Sequence, residues 1–178
     1  MTQIRKLWTP DLPAFRAHLL RLDETTRRQR FGVGVSDDFL HHYADTAFRL
    51  ESVIYGAFVD GTLRAAAELR NLAEIWSPEA EAAFSVEAEW QDEGLGTRLM
   101  DRILIVAQNR SIQKLYMVCL KENQRMRHLA EKYDARMSVE DGEASGTMTP
   151  GHPTPSSLFE EWLDDSKSFA TAVFSLGR

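Results

Sequence analysis

Very little in this chain could hold a fold together by means other than packing. Cys119 is its only cysteine, so no intrachain disulfide, thiolate zinc cluster or CxxC redox pair can form. Long hydrophobic runs are missing too: nowhere do about 18 apolar residues follow one another, so no membrane-spanning helix is expected. The opening residues MTQIRKLWTP carry no apolar stretch of the signal-peptide kind. Together these absences lead to the expectation of a cytoplasmic protein, and 178 residues are enough to bury a core without staples. Positive charge is also scarce. Twenty-one Lys and Arg against 27 Asp and Glu leave a net charge of −6, so no basic stripe exists to displace counterions from a nucleic acid. A small anionic ligand needs only a local cradle and stays open. His18, His41, His42, His128 and His152 show no metal-ligand spacing, and no metal is expected.

Hydrophobic periodicity divides what remains. Ile4 to Trp8, Ser52 to Val59, Leu63 to Leu72, Ala80 to Val86 and Lys114 to Leu120 read as strands, and Asp60-Gly61 joins the second to the third as a hairpin. Arg136 to Glu140 and Glu143 to Thr149 flank Asp141-Gly142 as a last hairpin. Thr9-Pro10-Asp11 opens a helix with Leu12, Phe15, Leu19 and Leu22 on one face, and Ser36 caps a second. Leu95, Leu99, Met100, Ile103 and Val106 recur at helical spacing, and Asn123 precedes a helix that turns Met126, Leu129, Ala130 and Tyr133 inward. The charged run DETTRRQRFGVG, Asp23 to Gly34, is expected as a loop or broken helix. Pro150, Pro153 and Pro155 stiffen the connection to a long terminal helix capped by Ser156 or Ser157. Its wide apolar face, with Leu158, Trp162, Phe169 and Val173 at its centre, must be covered by its own domain or by a second copy in a homodimer. The expected division is one domain at 1–149, then the connection and helix at 150–178.

The stretch EWQDEGLGTRLM, Glu89 to Met100, carries the chemistry. Two residues without Cβ stand at a strand-to-helix junction, where unpaired N–H groups and the positive end of a helix dipole make an anion site. A P-loop needs Gly-Lys-Ser/Thr, but Thr97-Arg98 follows Gly96. A dinucleotide fingerprint needs a third glycine, and Leu99 holds its place.

With KLYMVCLKENQRMRHLAEKYDARM downstream, this run resembles the acyl-CoA-binding core of the GNAT family of N-acetyltransferases. Val86-Glu87-Ala88-Glu89 and Gln91-x-x-Gly94-x-Gly96 fill the places of the family's strand end and pyrophosphate loop, and Asn123 that of the residue beside the pantetheine arm. The likeness spans roughly Ile4 to Thr149. Arg28-Gln29-Arg30-Phe31 and Leu120 to Met126 are also similar to the acetyltransferase domains of bacterial protein-lysine acetyltransferases.

The resemblance implies an α/β fold: a mixed, mostly antiparallel sheet flanked by helices, to which this chain adds the C-terminal helix. It implies acetyl-CoA as cosubstrate and an amine acceptor of small-molecule or protein origin. Cofactor contacts are expected from Phe84, Val86, Gln91, Asp92, Glu93, Gly94, Leu95, Gly96, Thr97 and Asn123. An amine with a pKa near 10 needs a base before it can attack a thioester. Glu81 is the candidate, and Glu68 the reserve. Glu87 and Glu89 read as solvated turn residues, and Cys119 as a small core residue. The family often places a tyrosine acid where Ala130 stands, and Gly-Phe where Asp134-Ala135 stands. The alternative to an enzyme is a CoA-binding regulatory module that kept the cradle and lost the chemistry.

Overall fold

Alternating apolar residues build the centre of the molecule. In a computed structural model the described residues are 1–48, 52–72, 77–140 and 142–175. Among them, seven strands form one sheet: β1 (Thr2–Lys6), β2 (Ser52–Val59), β3 (Thr62–Asn71), β4 (Glu79–Val86), β5 (Lys114–Leu120), β6 (Arg136–Glu140) and β7 (Glu143–Met148). Their spatial order is β1-β2-β3-β4-β5-β7-β6. Neighbours pair antiparallel except β4 and β5, which run parallel. The helices are α1 (Leu12–Arg21), α2 (Glu24–Phe31), α3 (Asp37–Ala47), α4 (Leu95–Asn109), α5 (Gln124–Lys132) and α6 (Pro155–Ser175). This is the expected α/β sheet with an added terminal helix. Asp141, first residue of the expected last turn, lies outside the described residues, as do positions 176–178 of the terminal segment.

Two apolar layers cover the sheet. On one face Leu95, Leu99, Met100, Ile103 and Val106 of α4 pack on Ala65, Ala67, Leu69, Ala80 and Ala82; on the other, Phe15, Leu19, Leu40 and Ala44 of α1 and α3 pack on Ile54, Phe58, Leu63 and Ala66. Small strand residues let the helices approach closely. Each large side chain so buried contributes about 1.5–3 kcal/mol.

Three local expectations change. The charged run is a helix, α2: Asp23 caps it by accepting from the Thr26 N–H at 2.7 Å, and Gly32 closes it in the left-handed region, φ +78°. Capping at both ends, not an apolar stripe, makes this segment helical. The first helix begins at Leu12 after a short 3-10 turn at Thr9–Asp11, so Thr9 does not cap it. At α6 the cap is Thr154 rather than Ser156 or Ser157: its Oγ1 accepts from the Ser157 N–H at 3.1 Å while Ser157 Oγ accepts from the Thr154 N–H at 3.0 Å.

One irregularity shapes everything that follows. β4 and β5 pair only from Glu79 opposite Lys114 to Glu81 opposite Tyr116. Beyond that point β4 stays with β3 as far as Val86, and β5 stays with β7 as far as Leu120. The two inner edges part and leave a wedge in the sheet.

Candidate active site

The wedge opens onto the glycine loop. After β4, the side chain of Gln91 folds back so that its Nε2 donates to the Val86 carbonyl at 3.0 Å. Asp92 and Gly94 then take left-handed backbone angles, φ +64° and +73°. Gly94 is the N-cap of α4 and supplies no side chain; the first intrahelical bond runs from the Arg98 N–H to its carbonyl at 3.1 Å. The N–H groups of Leu95, Gly96 and Thr97 therefore have no acceptor within the helix, and the helix dipole adds positive potential there.

These donors border a cavity of about 320 Å³, a size suited to a small-molecule ligand. Of the ten expected cofactor residues, Phe84, Val86, Gln91, Asp92, Gly94, Leu95, Gly96, Thr97 and Asn123 line it, while Glu93 does not. Asn123 caps α5 by accepting from the Met126 N–H at 3.1 Å, which leaves its Nδ2 as the group it can offer a ligand. The remaining walls were not among the expected cofactor residues: Thr26, Gln29 and Arg30 come from α2, Trp90 from the loop, and Arg125, His128 and Lys132 from α5. The RxRF likeness was the one signal for Arg30.

The acidic residues of the loop part company. Asp92 is gripped by the Arg125 guanidinium at 3.1–3.2 Å, a pairing that lowers its carboxyl and neutralises its charge beside the cavity. Glu93 is exposed and acts only through its field. Glu93→Lys is therefore expected to tighten acetyl-CoA binding about two- to fivefold at low ionic strength, with the gain fading as salt shortens the Debye length. Calorimetry at two salt concentrations measures it, and weaker binding than wild type would contradict the assignment of the cradle.

Glu81 lies at the vertex of the wedge, the last residue of β4 paired with β5. It is half-buried and close enough to Arg30 to help hold that guanidinium charged. It does not line the cavity itself. Glu68, the reserve base, is engaged elsewhere. It is 1% exposed and receives Arg30 at 2.7 Å, Arg70 at 2.9 Å and the Tyr43 hydroxyl at 2.8 Å. Burial alone would raise its carboxyl, but the two arginines and the tyrosine hold it below the ordinary range. A carboxylate so committed has little basicity to lend.

Glu87 corrects the sequence reading outright. It is no solvated turn residue but the buried centre of a network: Arg21 reaches it at 2.9 Å, Arg64 at 2.8 Å and His18 Nδ1 at 3.1 Å, while His18 Nε2 meets Ser85 Oγ at 2.9 Å. Burial would push the Glu87 carboxyl up; the hydrogen bonds from His18, Arg21 and Arg64 hold it down to about 2. Ser85 and Glu87 flank Val86, so this network fixes the strand end that lines the cavity. Burial also keeps the His18 imidazole below 6.5, although Glu87 opposes the shift. The unfolded chain then binds the proton more readily than the folded one, so stability is full above 6.5 and declines as pH falls below it. Thermal unfolding of wild type should show that decline and His18→Gln should flatten it; an unchanged slope would exclude His18 as its source.

The departures from the family pattern acquire physical reasons. Ala130 is buried and faces Gly146 of β7, where an added Cβ would lie 3.1 Å from the Ala130 Cβ, so small residues on both elements let α5 and β7 approach closely. The Tyr133 hydroxyl donates to Asp101 at 2.6 Å and ties α5 to α4. Asp134 adopts φ +56°, the conformation for which glycine is usual and which aspartate tolerates. Cys119 is buried in β5, and burial raises its thiol; it is a core residue, as expected.

A model of the Acetyltransferase (GNAT) family matches residues 5–134. The chain belongs to the GNAT acetyltransferase family. Among solved structures, the GNAT domain of S. lividans PAT is 20% identical, with a TM-score of 0.71 over 83% of this chain and 90% of that one. The ribosomal-protein alanine N-acetyltransferase of Escherichia coli is 17% identical, TM-score 0.64, covering 87% and 97%. The PaiA N-acetyltransferase of Thermoplasma acidophilum, solved with coenzyme A, is 17% identical, TM-score 0.62, covering 84% and 99%. At these identities the structures share the GNAT fold with this chain. No curated protein sequence matches it.

Proposed function

We propose that this GNAT protein transfers an acetyl group from acetyl-CoA to a primary amine in the cytoplasm, by direct attack and without a covalent enzyme intermediate. One observation carries the reading: the open edge of β4, the unpaired N–H groups of α4 and the Asn123 side chain meet around one cavity, and Glu81 stands at the vertex of the wedge that opens onto it. The diphosphate of CoA sits on the Leu95 to Thr97 amides, and the pantetheine arm extends the sheet along Phe84 to Val86. A main-chain N–H of that strand polarises the thioester carbonyl. Glu81 takes the proton from the ammonium, directly or through water; the free amine attacks, the tetrahedral oxyanion collapses, CoA leaves as thiolate, and the second proton on the attacking nitrogen passes to that thiolate or to water as the neutral amide forms. Because a thiol has a pKa near 8.5, departure needs no strong acid, which fits the alanine at 130.

Titration with acetyl-CoA in a calorimeter, followed by thiol release with protein lysine, N-terminal, polyamine and aminoglycoside acceptors, tests this. Binding with no turnover on any of the four would favour the regulatory module; absence of binding would sink both.

A further inference from the structure

The terminal helix is mounted with its polar side inward. Lys6 of β1 reaches Asp165 at 2.7 Å, Trp8 Nε1 donates to Ser168 Oγ at 3.2 Å, and Asn109 of α4 donates to the Ser157 carbonyl at 3.0 Å and to Glu161 at 2.6 Å. Ala172 is the buried apolar residue on that side. At roughly 3.6 residues per turn, Phe159, Trp162, Val173 and Phe174 turn away from that side and Leu158 and Phe169 lie at its margin; all six are exposed, Trp162 by 62% and Phe174 by 80%, while Phe169 also meets the Trp8 ring edge-on at 5.4 Å between centroids. A surface helix ordinarily does the reverse.

We infer that this outward face is the contact for a second copy of the chain, the two α6 helices packing antiparallel about a two-fold axis through Ser166. With aromatic side chains of about 150–250 Å² each, the six exposed residues leave an apolar strip of roughly 600 Å². That is at the upper end of what a monomer shows, ~300–600 Å², and most of the ~800 Å² per partner that a stable interface buries. The strip is self-complementary as a two-fold contact requires. With Ser166 on the axis, Phe169 stands opposite Leu163, Trp162 opposite Ala170, Phe159 opposite Val173 and Phe174 opposite Leu158, so each aromatic meets an aliphatic residue. Charge argues against a bilayer as the cover: α6 carries Glu160, Glu161, Asp164 and Asp165 against the single cation Lys167, whereas helices that lie on anionic lipid carry a basic polar face.

Sedimentation of the full chain should give twice the 20.3 kDa of one subunit. Trp162→Glu should return it to one subunit with the circular dichroism spectrum unchanged, since the residue faces away from the domain. Ser166→Cys should cross-link to its own copy under mild oxidation, and Glu131→Cys, exposed on α5, should not. A wild type that stays monomeric at ~100 µM, where even a weak interface is filled, would overturn the inference. So would a dimer indifferent to Trp162→Glu, an unlinked Ser166→Cys, or a monomer that sediments with phosphatidylserine vesicles.

Discussion

Glu81→Gln is expected to lower kcat by about 10²- to 10⁴-fold, the usual worth of a positioned base, while acetyl-CoA binds as tightly as before. The second half of that statement follows from position. Glu81 stands at the vertex and outside the cavity lining, so an amide of the same shape removes a proton acceptor and nothing that holds CoA. Because an ammonium is almost fully protonated at neutral pH, the loss should shrink as pH rises and free amine becomes available without help. Glu68→Gln makes the contrast. Its carboxylate neutralises Arg30 and Arg70 in a buried cluster, and breaking a buried pair costs about 3–5 kcal/mol; the expected result is a lowered unfolding midpoint before any specific loss of rate. Equal kcat for wild type and Glu81→Gln, measured by thiol release at saturating acetyl-CoA, would remove Glu81 from the mechanism.

Gly96→Val should weaken acetyl-CoA binding by about 10- to 100-fold, which at 1.4 kcal/mol per decade matches the 1–3 kcal/mol typical of overfilling a packed space. The fold should not notice. Gly96 has an ordinary backbone conformation, and a Cβ there would meet only Leu129 Cδ2 at 3.7 Å, so the added bulk falls at the cavity wall instead of in the core. Gly94 works differently: a Cβ on it would touch nothing within 4 Å, but its φ of +73° costs another residue about 1–2 kcal/mol. Gly94→Ala should therefore lower the unfolding midpoint as well as affinity. Calorimetry paired with thermal unfolding separates the two, and undiminished binding by Gly96→Val would mean that the loop is a turn and not a cradle.

How much of this could be read from residue order depends on whether the cause was local. The glycine loop was legible because strand end, glycines and helix start are contiguous, and the apolar periods of β2 to β5 and of α4 depend on the sheet alone. α2 was not legible, since ETTRRQRF has no apolar stripe and its helicity comes from Asp23 and Gly32 at its two ends. Glu87 was misread because its partners His18, Arg21 and Arg64 lie 69, 66 and 23 positions away, and no pattern near Glu87 announces them. For α6, periodicity revealed an apolar face but not which way it would turn. That was decided by Lys6, Trp8 and Asn109, which hold the polar side.

The wedge between β4 and β5 means that this sheet is unfinished. Its halves, β1 to β4 and β5 to β7, share three residue pairs at one end. On the proposed reading, the arm of CoA serves as the missing length of strand. Binding and folding are then parts of one process: the cosubstrate completes the protein's architecture, adds about 2.7 kcal/mol of stability at a hundredfold excess over Kd, and takes it away again when CoA departs.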